Sequence, residues 1–103
     1  MTIMATQARM SPARFSMSVK TACQAGNVTK GDLAAALGMS PESMSRKLAA
    51  KIRWNLDEVY AVADIFGVDP GAMVNGSGEW LNTIDPDAVR GRLRDLLNHT
   101  LPL

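Results

Sequence analysis

One local pattern recurs along the chain and restricts its fold more than any other feature of the sequence. An apolar residue precedes a Ser, Thr, Asp or Asn, and a second apolar residue stands four positions after the polar one. This arrangement is typical of a helix N-cap whose preceding residue packs on the first turn. The cap positions are Ser11, Thr29, Ser40, Asn55, Asp69 and Asp85. The pattern predicts a helix start at each cap, and because nothing comparable marks strands, we expect an all-α protein.

The extents of these helices follow from apolar spacing and from glycines that stop a helix. We expect helices over 12–25, 56–66, 70–74 and 86–98, and two short helices within 29–50. Proline takes the first helical position in four of the six, where its missing N–H costs nothing. The inward faces are Phe15, Val19 and Ala22 in the first helix and Val59, Val62, Ala63 and Phe66 in the fourth.

The chain of 103 residues has the length of one domain with one core. We expect a flexible N-terminal tail over 1–10, a helical domain over 11–76, a linker over 77–85 and a C-terminal helix within 86–103. Trp80 is apolar enough to dock on the rest of the protein although it lies in the predicted linker.

The last predicted helix is amphipathic. Its apolar stripe consists of Val89, Leu93, Leu96 and Leu97. A helix this short is marginal alone, so the stripe packs on its own domain or on a second copy of the chain, or else the segment is disordered. Under the second alternative these residues form a dimerisation surface.

The two helices within 29–50 are joined by a tight turn. Leu33 and Leu37 share one face of the first helix, and Gly38 can take the left-handed conformation that ends it. Met44 and Leu48, at positions i and i+4, form the inner face of the second helix. The outer face of that helix is therefore polar, with short side chains near its N-terminus and cations further along.

These residues resemble the Cro/repressor-type (XRE-like) helix-turn-helix family. The matching segments are 33–34, 37–40, 44–48, 55–59 and 63–69. The resemblance covers roughly residues 11–76 and implies a five-helix, lambda-repressor-like domain whose recognition helix spans 40–50. Two residues depart from the family pattern: Lys47 stands where many members carry an aliphatic residue, and Ala50 stands where many carry glycine. Without that glycine, the recognition helix is expected to run on to about residue 50.

Charge is distributed unevenly along the chain, although the net charge is only +1. Residues 1–54 carry eight Lys or Arg and two Asp or Glu, whereas residues 55–103 carry three and eight. A basic half that includes the predicted recognition helix favours a polyanionic partner. Without the helix-turn-helix pattern, solvated charged faces would explain the same distribution.

Other classes of protein find little support in the sequence. No apolar run approaches the ~20 residues of a membrane span, and the N-terminus lacks a signal-peptide core, so we expect a cytoplasmic protein. Cys23 is the single cysteine and His99 the single histidine, which gives neither a disulfide nor metal-ligand spacing. No catalytic constellation or phosphate-binding glycine loop is present, so we expect no enzyme, cofactor, metal or small-molecule ligand.

The predicted DNA contacts fall into two groups. Glu42 can accept from a cytosine amino group, and Arg46 has the planar fork that matches guanine O6 and N7. With the roles that the family resemblance implies, the base-reading group is Pro41, Glu42, Ser43 and Arg46. The backbone-contacting group is Thr29, Lys30, Ser40, Lys47, Lys51, Arg53 and Asn55.

The sequence thus predicts a regulator of transcription that binds double-stranded operator DNA, similar to small phage repressor or Cro proteins. Such proteins act as homodimers on two-fold operators. The alternative is a helix-turn-helix module that binds another protein, such as an antitoxin or adaptor. The two differ in whether the chain binds DNA in a salt-dependent way.

Overall fold

The computed structural model describes residues 12–75 and 79–100, and within these ranges the only regular elements are helices. The six α-helices there are α1 Pro12–Gly26, α2 Lys30–Ala36, α3 Pro41–Leu48, α4 Leu56–Phe66, α5 Pro70–Asn75 and α6 Pro86–Thr100. A 3₁₀ helix over Glu79–Thr83 lies between α5 and α6. The all-α prediction is confirmed, and the predicted tail 1–10 lies outside the described residues.

The helices begin where local capping predicts. A cap side-chain oxygen accepts a backbone N–H of the first turn at Thr29, Ser40, Asn55, Asp69 and Asp85. At α4 the capping is reciprocal, since Asn55 accepts from the Glu58 N–H at 2.7 Å and Glu58 accepts from the Asn55 N–H at 2.9 Å. The sixth predicted cap, Ser11, lies outside the described ranges.

Four helices end in the same way, with a residue in the left-handed conformation. Its φ is +58° to +70° at Asn27, Gly38, Ala50 and Gly67. In each case the next N–H bonds to the carbonyl five residues back, which closes the last turn. At three of the four ends this next residue, Val28, Met39 or Val68, is also the apolar residue before the following cap. The connections are therefore only a few residues long, and consecutive helices stay close.

One apolar cluster fills the space between the helices. The predicted inward residues of α1, Phe15, Val19 and Ala22, are fully buried. The predicted inward residues of α4 are buried too, together with Ile65, which the pattern did not single out. On this core α3 packs against both α1 and α2, which fixes its orientation.

The C-terminal part of the described chain packs on the same core. Val89 is 0% and Leu93 7% exposed, and α6 contacts α1, α2 and α4. Of the predicted stripe, only Leu96 and Leu97 remain partly exposed. Packing on the chain's own domain is therefore what the structure has, and Val89 and Leu93 are not accessible to a second copy.

In the described part of the predicted linker 77–85 the chain forms the 3₁₀ helix, and Trp80 docks on the core as its apolarity predicts. The 3₁₀ helix packs against α1, and Trp80 is only 7% exposed.

Arg92 links α6 to the end of α4, since its Nη1 donates to the Ile65 carbonyl at 3.1 Å. The guanidinium lies so close to Gly67 that a Cβ there would be 2.7 Å from Nη1. Glycine suits position 67 because its φ is +69°, in the left-handed region.

Candidate nucleic-acid interface

α3 has one face in the core and the other on the surface. Met44 is 0% and Leu48 8% exposed, as the apolar spacing predicts. The residues predicted to read bases lie on the rest of the helix, where Pro41, Glu42 and Arg46 are exposed and Ser43 is half-buried. A helix about 10–12 Å across, presented in this way, fits a major groove about 12 Å wide.

The N-terminus of α3 is fixed by two serines. Ser40 Oγ accepts the Ser43 N–H at 3.1 Å and donates to Ser43 Oγ at 3.1 Å. The Ser40 hydroxyl is thus engaged within the helix cap, whereas the Ser43 hydroxyl acts as acceptor and keeps its own hydrogen to donate elsewhere.

α3 ends at Leu48, which corrects the prediction that it runs to residue 50. Ala50 has φ +62°, its N–H bonds to the Lys47 carbonyl at 3.0 Å, and the Lys51 N–H bonds to the Arg46 carbonyl at 2.9 Å. These two bonds form a Schellman motif, which usually carries glycine at its left-handed residue. The turn that the family makes with glycine is therefore made here by alanine, at a cost of about 1–2 kcal/mol.

Lys47 was predicted to contact the DNA backbone, but the structure gives its ammonium group other partners. Nζ lies 2.8 Å from Glu58 Oε1 and donates to the Arg53 carbonyl at 2.9 Å. It also lies 5.8 Å from the centre of the Trp54 ring. The Lys47 side chain is 12% exposed and that of Glu58 17%. Lysine thus replaces an aliphatic residue because Glu58 neutralises it there.

A polar cluster beneath the end of α3 is not predicted by any pattern in the sequence. Ser16, 2% exposed, donates its hydroxyl to the Lys47 carbonyl and accepts from Trp54 Nε1 at 3.0 Å. The Trp54 ring meets Phe15 edge-on, with centroids 5.1 Å apart. The cluster ties α1 to the last turn of α3 and to the connector. Its only sequence signals were a serine beside Phe15 and a tryptophan in a short basic segment.

Five of the seven predicted backbone-contacting residues lie at the start of α2 or in the connector after α3. Lys30 is exposed at the start of α2, which packs against α3. Lys51 and Arg53 are exposed in the connector between α3 and α4. Thr29 and Asn55 are exposed as well, although one side-chain oxygen of each already caps a helix. Exposed cations therefore lie on both sides of α3 in the chain, at the start of α2 before it and in the connector after it.

Other kinds of site are not found in the described ranges. No cluster of three or more His, Cys, Asp or Glu residues there could hold a metal ion, and no described helix has the length and apolarity needed to cross a bilayer. Burial raises the pKa of the Cys23 thiol from 9.0 to about 11, so it stays protonated near neutral pH.

A comparison with families of known domains supports the geometry of α2 and α3. The model of the Cro/C1-type helix-turn-helix DNA-binding domain matches residues 19–73. The chain belongs to this Cro/C1-type family. Neither a search of curated proteins nor a search of solved structures gives a match. The family resemblance inferred from the sequence is confirmed.

The matched range places the Cro/C1-type domain within the fold. It begins in α1, includes α2, α3 and α4, and ends in α5. The 3₁₀ helix and α6 lie outside it, although they share its core. The chain is thus a Cro/C1-type DNA-binding domain to which a C-terminal helix is added.

Proposed function

We propose that the chain is a sequence-specific regulator of transcription that reads the major groove of operator DNA with α3. By occupying its operator it acts as a repressor, in the manner of small phage Cro and repressor proteins, in the cytoplasm where the DNA lies. The observation that carries the proposal is the surface of α3, which is polar, exposed and held on the core by Met44 and Leu48.

Arg46 is the strongest candidate for a specific base contact. It is exposed, and within the described ranges it forms no ion pair with Glu42, one turn earlier on the same helix. A guanidinium without a partner can present two of its five N–H donors to guanine O6 and N7. Pro41, Glu42 and Ser43 lie nearer the N-terminus of α3 and complete the base-reading group.

The backbone contacts come from the segments on either side of α3. Lys30, Lys51 and Arg53 are exposed cations there, and Thr29, Ser40 and Asn55 add polar groups at helix caps. We leave Lys47 out of this group, because its ammonium contacts Glu58. Its role is to hold the connector in place, since the same Nζ binds the Arg53 carbonyl.

A homodimer fits the proposal, but its surface differs from the one expected from the sequence. Leu56 and Tyr60, one turn apart on α4, are 64% and 55% exposed. They border a groove of about 520 Å³ that Pro70 and Val74 of α5 also line. In a two-fold contact the same surface of each copy meets its counterpart, so that surface needs both a protrusion and a recess. Here the two apolar side chains are the protrusion and the groove is the recess. Leu56 directly follows Asn55, so a second copy bound there would adjoin the DNA.

Selection of bound sites from a random duplex library tests the proposal. We expect one two-fold sequence to be enriched, with an affinity that falls steeply as salt rises. Lys51→Ala and Arg53→Ala should weaken binding to all sequences alike and flatten the salt dependence by about one unit each. Failure to enrich any sequence, with no salt-dependent binding, would favour the protein-interaction alternative.

A further inference from the structure

α6 carries three arginines, and the structure divides them between two flanks. Arg92 faces α4, where Nη1 donates to the Ile65 carbonyl. Arg90 and Arg94, one turn apart, lie on the other flank, because a helix advances about 100° per residue. The buried Val89 stands between the two flanks.

The flank of Arg90 and Arg94 faces α2. Both arginines line a cavity of about 330 Å³ together with Asp32, which belongs to the first turn of α2. α6 and α2 are in direct contact. Lys30, an exposed cation proposed to contact the DNA backbone, stands two positions before Asp32. The two arginines therefore lie beside the end of α2 that adjoins the proposed interface.

Neither arginine has a polar partner among the described residues. Both are exposed, and over residues 12–75 and 79–100 neither forms a hydrogen bond or an ion pair, in contrast to Arg92. An exposed guanidinium without a partner can bind a phosphate oxygen without breaking an existing contact, and its fork suits a bidentate contact.

We propose that Arg90 and Arg94 bind DNA phosphates outside the base pairs read by α3, so that α6 extends the DNA-binding surface of the domain. This inference rests on the proposed DNA-binding function. α2 packs against both α3 and α6, so α6 borders the helix that carries the proposed phosphate contact of Lys30.

The inference goes beyond the family match, because α6 follows residue 73, where the matched range ends. The inference also predicts that Asp32 affects the affinity for DNA. A carboxylate in the same cavity repels phosphate, so it should weaken the contact that the two arginines make.

The test measures the affinity of the whole chain for a mixed-sequence duplex of about 30 base pairs by fluorescence anisotropy, between about 50 and 200 mM KCl. We expect Arg90→Gln with Arg94→Gln to lower affinity by more than about tenfold near 0.1 M salt, and to flatten the slope of log K against log salt by about 1.8. Asp32→Asn should act in the opposite direction and tighten binding severalfold. Circular dichroism verifies that each variant is folded.

Two control variants distinguish a specific phosphate contact from a general effect of net charge. Lys20→Gln removes one charge from an exposed position of α1, so it should leave the slope unchanged, whereas Arg94→Gln alone should flatten it by about 0.9. Equal effects of these two variants would reduce the result to net charge and overturn the inference. If Lys51→Ala weakens binding while the Arg90 and Arg94 variants do not, the inference is wrong and the proposed function stands. If the unaltered chain binds no duplex at any salt concentration, both fail.

Discussion

Lys47 Nζ lies 2.8 Å from Glu58 Oε1, and this contact joins the last turn of α3 to the first turn of α4. The same carboxylate oxygen accepts the Asn55 N–H at 2.9 Å, so one atom serves both an ion pair and a helix cap. Between the two partners lies the connector with Lys51 and Arg53. Because both side chains are largely buried, each charge depends on the other.

We predict that Lys47→Leu alone lowers the free energy of unfolding by about 1–3 kcal/mol, since it leaves the largely buried Glu58 charge without its partner. Lys47→Leu combined with Glu58→Gln should recover most of that loss. Glutamine keeps an oxygen that can accept from Asn55, and leucine restores the aliphatic residue typical of the family. Urea denaturation of both single variants and the double variant gives the coupling energy, and a value near zero would contradict the prediction.

The same variant tests the role of Lys47 in DNA binding. Because its ammonium is engaged within the fold, Lys47→Leu should leave the salt slope of binding close to that of the unaltered chain. Lys51→Ala is the matched control, since it removes one exposed cation four positions away and should flatten the slope by about one unit. Equal flattening by both variants would return Lys47 to the phosphate-contacting group.

Ala50 is expected to be a site where glycine stabilises the protein. Its φ of +62° is unfavourable for alanine, so Ala50→Gly should raise the free energy of unfolding by about 0.5–1 kcal/mol after the entropy of glycine in the unfolded chain is included. The neighbouring Ala49 has φ −84°, where Ala49→Gly should instead lower stability by about 0.5–1 kcal/mol. Thermal unfolding of the two variants should therefore shift in opposite directions.

Arg46→Ala should change DNA recognition and leave stability nearly unchanged, because the side chain is exposed. We expect a loss of about 1–3 kcal/mol on the best site and relaxed preference at one base pair per half-site, most simply a G·C pair. The measurement is affinity for the operator and for each single-base variant at one salt concentration. A uniform loss across all variants would indicate a phosphate contact instead.

The dimer surface is tested by charge insertion. Tyr60→Glu should shift the sedimentation mass toward that of a monomer and lower operator affinity, because an isologous contact places the new charge opposite its own copy. Met17→Glu is the matched control, since Met17 is 62% exposed on α1 and does not line the α4–α5 groove. An unchanged mass for Tyr60→Glu, in a protein shown to be dimeric, would locate the dimer contact elsewhere.

Cys23 should react slowly with alkylating reagents in the folded protein. Burial raises the pKa of its thiol to about 11, so the reactive thiolate is scarce at pH 8 and increases only as the pH approaches that value. The sign for stability follows, because the unfolded thiol ionises first and stability should decline between pH 9 and about pH 11. Iodoacetamide labelling across pH measures the first effect, with the protein unfolded in guanidinium as control. Rapid labelling of the folded chain at pH 8 would contradict it.

The positions of the helix starts could be obtained from the sequence because capping is local. Thr29, Ser40 and Asn55 each bond to an N–H three residues ahead, so the signal and its partner lie within one turn. The inward faces of α1 and α4 follow from the same short-range periodicity. For this reason the fold class, the two helices of the helix-turn-helix and the exposed face of α3 were all predictable.

The tertiary structure alone decided which residues far apart in the chain come into contact. Ser16 and Trp54 are 38 positions apart, and Arg92 meets Ile65 across 27, so no local pattern pairs them. The left-handed turn at Ala50 contradicts its own residue preference and is held by Schellman hydrogen bonds and by Ser16 on the Lys47 carbonyl. The tertiary structure likewise decides which surface covers Val89, that of its own domain or that of a second copy. An amphipathic stripe specifies that a face is buried, and only the packed fold specifies what buries it.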